Sequence, residues 1–493
     1  MFLAALLPLL PLFPAPQTPE PAQVAPSHKK VLMIGIDGVR PDALVAAKTP
    51  HLDLLAQNGS LSLQARTTKI TSSGPAWSSI LTGARMELHG IRDNSFEGSA
   101  VDAWPTWLER LEKEHPESFT AAVVQWAPIH EHLTSGRIDL SMPADSGAAV
   151  TEGAVELLQG EAQDLTALFL HYDDVDHAGH DKGYGVEIPE YLAAIEKVDA
   201  EIGEVLEALR GRRDLMFEDW LIMVGTDHGG EGTSHGADTP ACRTVFQLAS
   251  GTGAADFQWP AAPEVFDFAA MALLHLGIDH ATSPVPRFDG WWTWRQSVLN
   301  DRGEKGVDAR VVFLGDSITQ GWEDAGKEVW AEQYAPLKAV NLGIGGDRTQ
   351  HVLWRLRNGN LKNLNPEVAV LMIGTNNSNE DSSDEISLGT QAVVAELLER
   401  LPEADVLMLA TFPRGADKED ALRKINEASN LQLQEWCKGR DRVHWLDLGP
   451  ALLEEDGTLL QSIMPDLLHL SPAGYRIWAD AMTPKLTELL QQD

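Results

Sequence analysis

Val31-Leu32-Met33-Ile34-Gly35-Ile36-Asp37-Gly38 is the stretch whose reading decides the fold of this chain. Its apolar run is too short for a core helix and lacks the alternation of a half-exposed strand, so it reads as a strand buried on both faces, as parallel strands are. Asp37-Gly38 closes it and delivers a carboxylate at the strand's carboxyl end, the edge where open α/β sheets place their ligands. The pattern recurs twice. Trp220 to Gly225 (WLIMVG) ends in Thr226-Asp227-His228-Gly229, and Leu165 to Leu170 (LTALFL) runs into His171-Tyr172-Asp173-Asp174-Val175-Asp176-His177-Ala178-Gly179-His180. Asp176 and His180, four apart, would share one face of a helical turn and can share a metal. His171, Asp173, Asp174 and His177 are alternatives that spacing leaves open. His235 follows in a Gly-rich loop, GGEGTSHG, seven residues after His228.

Thr71-Ser72-Ser73-Gly74-Pro75-Ala76-Trp77-Ser78-Ser79-Ile80-Leu81-Thr82-Gly83 offers hydroxyl nucleophiles, although by composition alone it is a Ser/Thr-rich loop capping a helix that starts near Pro75. From Ala309 the strand pattern restarts. Val311 to Leu314 (VVFL) ends in Gly315-Asp316-Ser317, a serine at a strand end entering a helix, where backbone N–H groups can face developing negative charge. Val340 to Asp347 is a strand followed by a Gly-rich turn, Val368 to Ile373 is a buried strand ending in Gly374-Thr375-Asn376-Asn377, and Asp466-Leu467-Leu468-His469 precedes a helix start at Ser471-Pro472.

The first set resembles the alkaline phosphatase superfamily, especially its type I phosphodiesterase and nucleotide pyrophosphatase branch, from about Lys30 to Trp292. Five separated pieces carry the likeness: Asp37; Ser73 with Pro75 and Thr82-Gly83; Asp176 with Gly179-His180; Asp227-His228-Gly229; and His235. The resemblance implies two divalent metal ions, usually zinc. One would be held by Asp176, His180 and His235, the other by Asp37, Asp227, His228 and the oxygen of Ser73. Ser73 would be the nucleophile rather than Ser72 or Thr71, because it stands nine residues before Thr82-Gly83. Sulfatases of the same superfamily need an arginine four residues after the modified residue; Trp77 stands there, which favours phosphoesters over sulfate esters.

The second set, GDSITQGW, NLGIGGDRTQHVLWRLRNG, MIGTNN and DLLHLSPAGY, resembles the SGNH (GDSL) hydrolases, most closely the platelet-activating-factor acetylhydrolase-like group. That resemblance implies Ser317 as nucleophile, His469 as general base and Asp466 as its orienting partner. The Ser317 and Gly346 N–H groups and the Asn376 amide would bind the oxyanion, and no cofactor would be needed.

The expected architecture is α/β with two domains, an alkaline-phosphatase-like α/β/α sandwich followed by a flavodoxin-like SGNH α/β/α sandwich with a parallel sheet. A length of 493 residues and 43% hydrophobic content provide for two cores. The divisions read 1–29 as a signal peptide and Pro-rich linker, 30–292 as the phosphodiesterase-like domain, 293–306 as a linker and 307–493 as the esterase domain. Phe2 to Phe13 (FLAALLPLLPLF) is too short to span a bilayer and reads as a signal-peptide core, with no cysteine following it to carry a lipid, so a secreted or periplasmic location is expected. The two cysteines, Cys242 and Cys437, fall in different domains and make no disulfide framework. A net charge of −35 argues against polyanion scaffolding and electrostatic membrane docking.

The whole reads as a two-headed hydrolase acting on small-molecule phosphoester and acyl-ester substrates, phospholipid or acetylated glycan among them. The alternative is an active esterase whose phosphatase-like domain has lost turnover and only binds substrate.

Overall fold

The computed structural model describes residues 28–160, 165–251, 254, 263–278, 280–306 and 308–491. The apolar run at Phe2 to Phe13 lies outside the described residues. No helix among the described residues is long and apolar enough to cross a membrane.

Seven strands form the first sheet: β1 (His28–Ile36), β2 (Gly59–Arg66), β3 (Phe119–Val124), β4 (Leu140–Pro143), β5 (Leu165–Tyr172), β6 (Glu218–Gly225) and β7 (Thr244–Gly251), in the order β2-β7-β6-β1-β5-β3-β4. β1 lies parallel to both β5 and β6, and β7 runs antiparallel to β6 and β2. The three strands that carry the candidate ligands are therefore adjacent and point the same way. Side chains alternate across β1: Val31 and Met33 enter one core layer, Leu32, Ile34 and Ile36 the other. Gly35 breaks the series for a reason, since a Cβ there would collide with the Trp77 ring.

The second sheet is all parallel: β8 (Val311–Gly315), β9 (Val340–Gly343), β10 (Val368–Met372), β11 (Asp405–Leu409) and β12 (Val443–Leu446), in the order β12-β11-β10-β8-β9. Renumbered within this sheet, that is 2-1-3-4-5, the flavodoxin-like arrangement. Val311 and Phe313 pack on one face and Val312 and Leu314 on the other, so each side needs its own helical cover. The chain is thus two α/β domains in sequence. Cys242 and Cys437 are both free and buried, and burial pushes the Cys437 thiol up to about 11.

The stretch expected as a linker is helical instead. A helix runs from Gly290 to Lys305, with Asp289 accepting from Trp292 N as its N-cap. Trp292 and Leu299 sit in the core layer of the second sheet, together with Ala84, Leu88 and Trp104 of the first domain. Hydrophobic burial along one helix face explains why Asn300 to Lys305, polar in sequence, is ordered here.

An ionic cluster bridges the two sheets. Glu396, fully buried, is paired with Arg85 at 2.9 Å, Arg357 at 3.2 Å and Arg400. Arg85 also reaches Glu264 at 2.9 Å, Arg357 reaches Asp267 at 2.7 Å, and both guanidiniums lie over the Phe266 ring. Burial alone would raise the Glu396 carboxyl, but the three guanidiniums outweigh it and hold the group well below its ordinary range. Its contribution is present above the unfolded value near pH ~4.3 and is withdrawn as pH falls below that. Glu396→Ala removes the carboxylate the three arginines share and leaves them only Glu264 and Asp267, and should cost about 3 kcal/mol. Calorimetry should show a lowered Tm at neutral pH, and a difference between wild type and variant that shrinks on acidification.

Candidate active sites

The first cluster forms where β1, β5 and β6 end. Asp37 follows β1, and Tyr191 Oη donates to the carbonyl of Gly38 at 2.5 Å, fixing the turn. Trp77 Nε1 donates to Asp37 Oδ2 at 2.8 Å, and His171 Nε2 lies 3.1 Å from the same oxygen. That leaves Asp37 Oδ1 buried without a hydrogen-bond partner, and Asp227 Oδ2 is in the same condition. His228 Nε2 stands 3.4 Å from the first, 3.3 Å from the second and 3.4 Å from Ser73 Oγ.

The proton on His228 can be placed by chemistry. Nδ1 lies 2.9 Å from the Gly229 carbonyl, which can only accept, so Nδ1 carries the hydrogen and Nε2 presents a lone pair. Two carboxylate oxygens without hydrogen-bond partners, an imidazole lone pair and a hydroxyl converge. A divalent cation fits that donor set, and hydrogen-bonding each ring through its other nitrogen is how metal-ligating histidines are held. Burial and the neighbouring carboxylates push Asp37 and Asp227 well above the usual carboxylate range, and burial lowers His228.

A second group adjoins it. His180 Nδ1 donates to the Thr233 carbonyl at 3.0 Å and His235 Nδ1 to the Thr71 carbonyl at 2.7 Å, yet the two Nε2 atoms face each other at 3.1 Å. Neither can donate to the other. Asp176 Oδ2 is 3.3 Å from His180 Nε2, and Asp176 Oδ1 is 3.9 Å from His235 Nε2. Asp176 and His180 share the helix Asp174–Lys182, as their spacing requires. All seven expected ligands are therefore at one sheet edge. Asp173 also comes within ligating reach of Asp37 and Asp176, while His171 lies on β5 supporting Asp37, and His177 pairs outward with Asp173 at 3.1 Å.

Ser73 opens the helix Ser73–Thr82, two residues earlier than the Pro75 start expected, and the whole helix is buried. The sequence reading missed three neighbours of this site. Trp77, counted only as a non-arginine, orients Asp37 and is accommodated by Gly35. Tyr184 Oη donates to Asp176 Oδ1 at 2.5 Å. Asn94 Oδ1 accepts from Gly74 N at 2.8 Å, which sets its amide beside Ser73. No local pattern announces Asn94, since it lies in a loop far along the chain from the nucleophile.

The second cluster is a connected triad. Ser317 Oγ lies 2.9 Å from His469 Nε2, His469 Nδ1 lies 2.6 Å from Asp466 Oδ2, and Asp466 Oδ1 also accepts from His469 N at 2.7 Å. Partial burial works to raise the Asp466 carboxyl, but the hydrogen bonds from His469 win and hold it below its ordinary value. The carboxylate keeps the proton on Nδ1, so the Nε2 lone pair faces the hydroxyl. The helix Ser317–Gln320 has only four residues. Negative charge would there meet individual N–H groups rather than a summed helix dipole.

Gly346 holds φ +78°, and Gly345 N donates to Gln320 Oε1 at 2.8 Å. Asn376 Nδ2 donates one hydrogen to the Asp347 carbonyl at 2.8 Å, which leaves its second free for a ligand. Asp347 is buried, paired with Arg355 at 2.7 Å and bonded by Trp292 Nε1 at 2.7 Å, so the Gly-rich turn rests on a fixed base. Asp316 caps the helix through Ile318 N at 2.9 Å, and burial pushes its carboxyl up to about 7.

Comparison with known proteins agrees with this division. The GDSL-like Lipase/Acylhydrolase family matches residues 313–477 and the Type I phosphodiesterase / nucleotide pyrophosphatase family matches 31–113 and 101–250. Platelet-activating factor acetylhydrolase IB subunit alpha1 of Bos taurus is 38% identical over 218 residues, 43% of this chain and 91% of its own. Subunit alpha2 of Rattus norvegicus is 35% identical over 215 residues, 44% and 91% respectively. Among solved structures, murine ectonucleotide pyrophosphatase / phosphodiesterase 5 is 15% identical and covers 54% of this chain and 98% of that chain, with a TM-score of 0.41. The chain belongs to the GDSL-like lipase/acylhydrolase family, and both of its domains belong to hydrolase families that act on ester bonds.

Cation binding at the first cluster has a readout that needs no substrate. Saturating Zn²⁺ at about 100 times its Kd should stabilise the native chain by about 2.7 kcal/mol. The accompanying rise in Tm should disappear in a variant carrying Asp227→Asn and His235→Ala, and a wild-type Tm indifferent to both zinc and chelator would contradict the assignment.

Proposed function

We propose that this chain is a bifunctional secreted hydrolase, divided near residues 293 to 306, with a binuclear-metal phosphoesterase head and a metal-independent serine esterase head for acetyl or other short acyl groups. The observation that supports it best is that each cluster holds a nucleophile hydroxyl against a lone pair with the rest of its residue set in place.

In the first head, Asp37, Asp227, His228 and Ser73 would hold one divalent ion, and Asp176, His180 and His235 the other. When bound, such ions, usually zinc, lower the pKa of a hydroxyl and stabilise negative charge on a phosphoryl group and its leaving oxygen. Ser73 Oγ, its proton given up to solvent, would bond to phosphorus as the bond to the leaving alkoxide breaks, and the alkoxide takes a proton from water to depart as the alcohol; a second water then cleaves the phosphoseryl ester, returning a proton to Ser73 Oγ and releasing phosphate or a phosphomonoester. The buried helix holds Ser73 in place, and the Asn94 amide beside it can donate to a phosphoryl oxygen.

In the second head, Ser317 Oγ attacks the carbonyl carbon while His469 Nε2 takes its proton. The tetrahedral oxyanion is met by Ser317 N–H, Gly346 N–H and the second Asn376 hydrogen; His469 returns the proton to the departing alcohol, and water repeats the sequence to release the acid. Asn376→Ala should lower kcat by about 10² to 10³.

The two chemistries separate cleanly. Chelator should abolish hydrolysis of bis-p-nitrophenyl phosphate and leave p-nitrophenyl acetate turnover intact, while a fluorophosphonate should label wild type and not Ser317→Ala. An isolated loss of phosphoester activity in Ser73→Ala completes the pattern. If wild type binds zinc yet cleaves no phosphoester in a broad panel, the first head is a binding module instead.

A further inference from the structure

Phe288-Asp289-Gly290-Trp291-Trp292-Thr293-Trp294 lies just outside the stretch matched by the GDSL-like family, and neither triad nor oxyanion donors draw on its exposed rings. Phe288 is 76% exposed, Trp291 45% and Trp294 59%. Among the described residues, the well-exposed Phe and Trp side chains are these three and Phe217, so three of four gather in one short run. Indole exposed to this extent is unusual in a globular surface, where Trp is highly buried on average. Trp291 and Trp294 are three apart on the helix Gly290–Lys305 and occupy one face of it, while Trp292 points inward to Asp347.

Their position makes the exposure meaningful. Trp291 Cη2 and Ser317 Cβ both lie 3.7 Å from the point where a Cβ on Gly345 would stand, so the indole edge flanks the esterase nucleophile. Arg287 Nη1 donates to the Gly345 carbonyl at 2.7 Å and is held by Asp289 through Nε at 3.0 Å, which places a guanidinium over the Gly345-Gly346 turn. The side chain of His469 is 45% exposed. The nucleophile thus lies beside the Trp291 ring edge, with Gln320, Arg287 and its partner Asp289 around the same turn, and Trp294 follows three residues on along the helix.

We propose that Trp291 and Trp294 form the platform that receives the alcohol half of the ester, and that this half is a carbohydrate. The proposal rests on the esterase reading and adds its substrate class. An aromatic face carries partial negative charge and attracts the electropositive C–H groups of a sugar ring, while ring hydroxyls need the polar groups around this turn. A membrane seat fits less well. The patch has planar rings without aliphatic or lysine companions, on a chain of net charge −35. A choline head group would meet the Arg287 cation.

The test compares the full-length wild type with a Trp291→Ala/Trp294→Ala variant on an acetylated xylo-oligosaccharide and on p-nitrophenyl acetate. The ratio of the two kcat/KM values should fall at least tenfold, through KM for the oligosaccharide, and Trp291→Phe should recover part of it. Intrinsic fluorescence of Ser317→Ala should be quenched on titration with the same oligosaccharide, a readout independent of turnover. Should the double variant fold poorly, Trp294→Gln with Phe288→Ser carries the same expectation. An unchanged ratio overturns the proposal, as does a platform variant that loses binding to phosphatidylcholine vesicles while oligosaccharide turnover stays intact. Wild type inert toward p-nitrophenyl acetate would sink the esterase reading instead, and the fluorescence titration would still decide the platform.

Discussion

Three carboxylates, those of Asp37, Asp176 and Asp227, are buried at one sheet edge, and among the described residues no lysine or arginine pairs with any of them. Removing charge from water without compensation is expensive, so a fold that does this three times in one place has to recover the cost from something positive. The rest of the first domain is arranged around that constraint. Parallel β1, β5 and β6 bring the acids together, backbone carbonyls take the Nδ1 protons of three histidines, and Trp77 and Tyr184 each occupy one carboxylate oxygen and leave the remaining lone pairs facing inward. The triad of the second domain makes no such demand. It balances internally, with one carboxylate, one imidazole and one hydroxyl in a chain, and it sits closer to solvent.

Much of this was legible in the sequence because parallel α/β folds write their sites in a readable place. Uninterrupted apolar runs mark buried strands, and whatever polar residue follows the run is delivered to the sheet's carboxyl edge. Asp37 and Asp227 stand at such strand ends, Ser317 does too but needed the later segments beside it to be singled out, and Asp176 and His180 do share one helix, as their four-residue spacing requires. What local pattern could not supply was partnership across the chain. Asn94 accepts from the Gly74 N–H, next to Ser73, from a loop with no periodicity, and Trp77 looks like an ordinary core residue until its indole N–H is seen on Asp37.

The helical conformation of the segment read as a linker has the same origin. Asn300 to Lys305 is polar because one helix face is wet, and the face that matters, Trp292 and Leu299, is visible only once the second sheet is in position. Glu396 is a mixed case: Arg400 stands four residues along the same helix, within reach of spacing, whereas the pair with Arg85 crosses from the first domain and only the fold shows it.

The helix from Gly290 to Lys305 gives the chain an unusual kind of modularity. It stands where a flexible tether would be expected, yet through Trp292 it braces Asp347, whose carbonyl in turn orients the Asn376 amide. The connector is therefore a working part of the second enzyme, and the boundary at which a family pattern begins is not the boundary at which the machine begins.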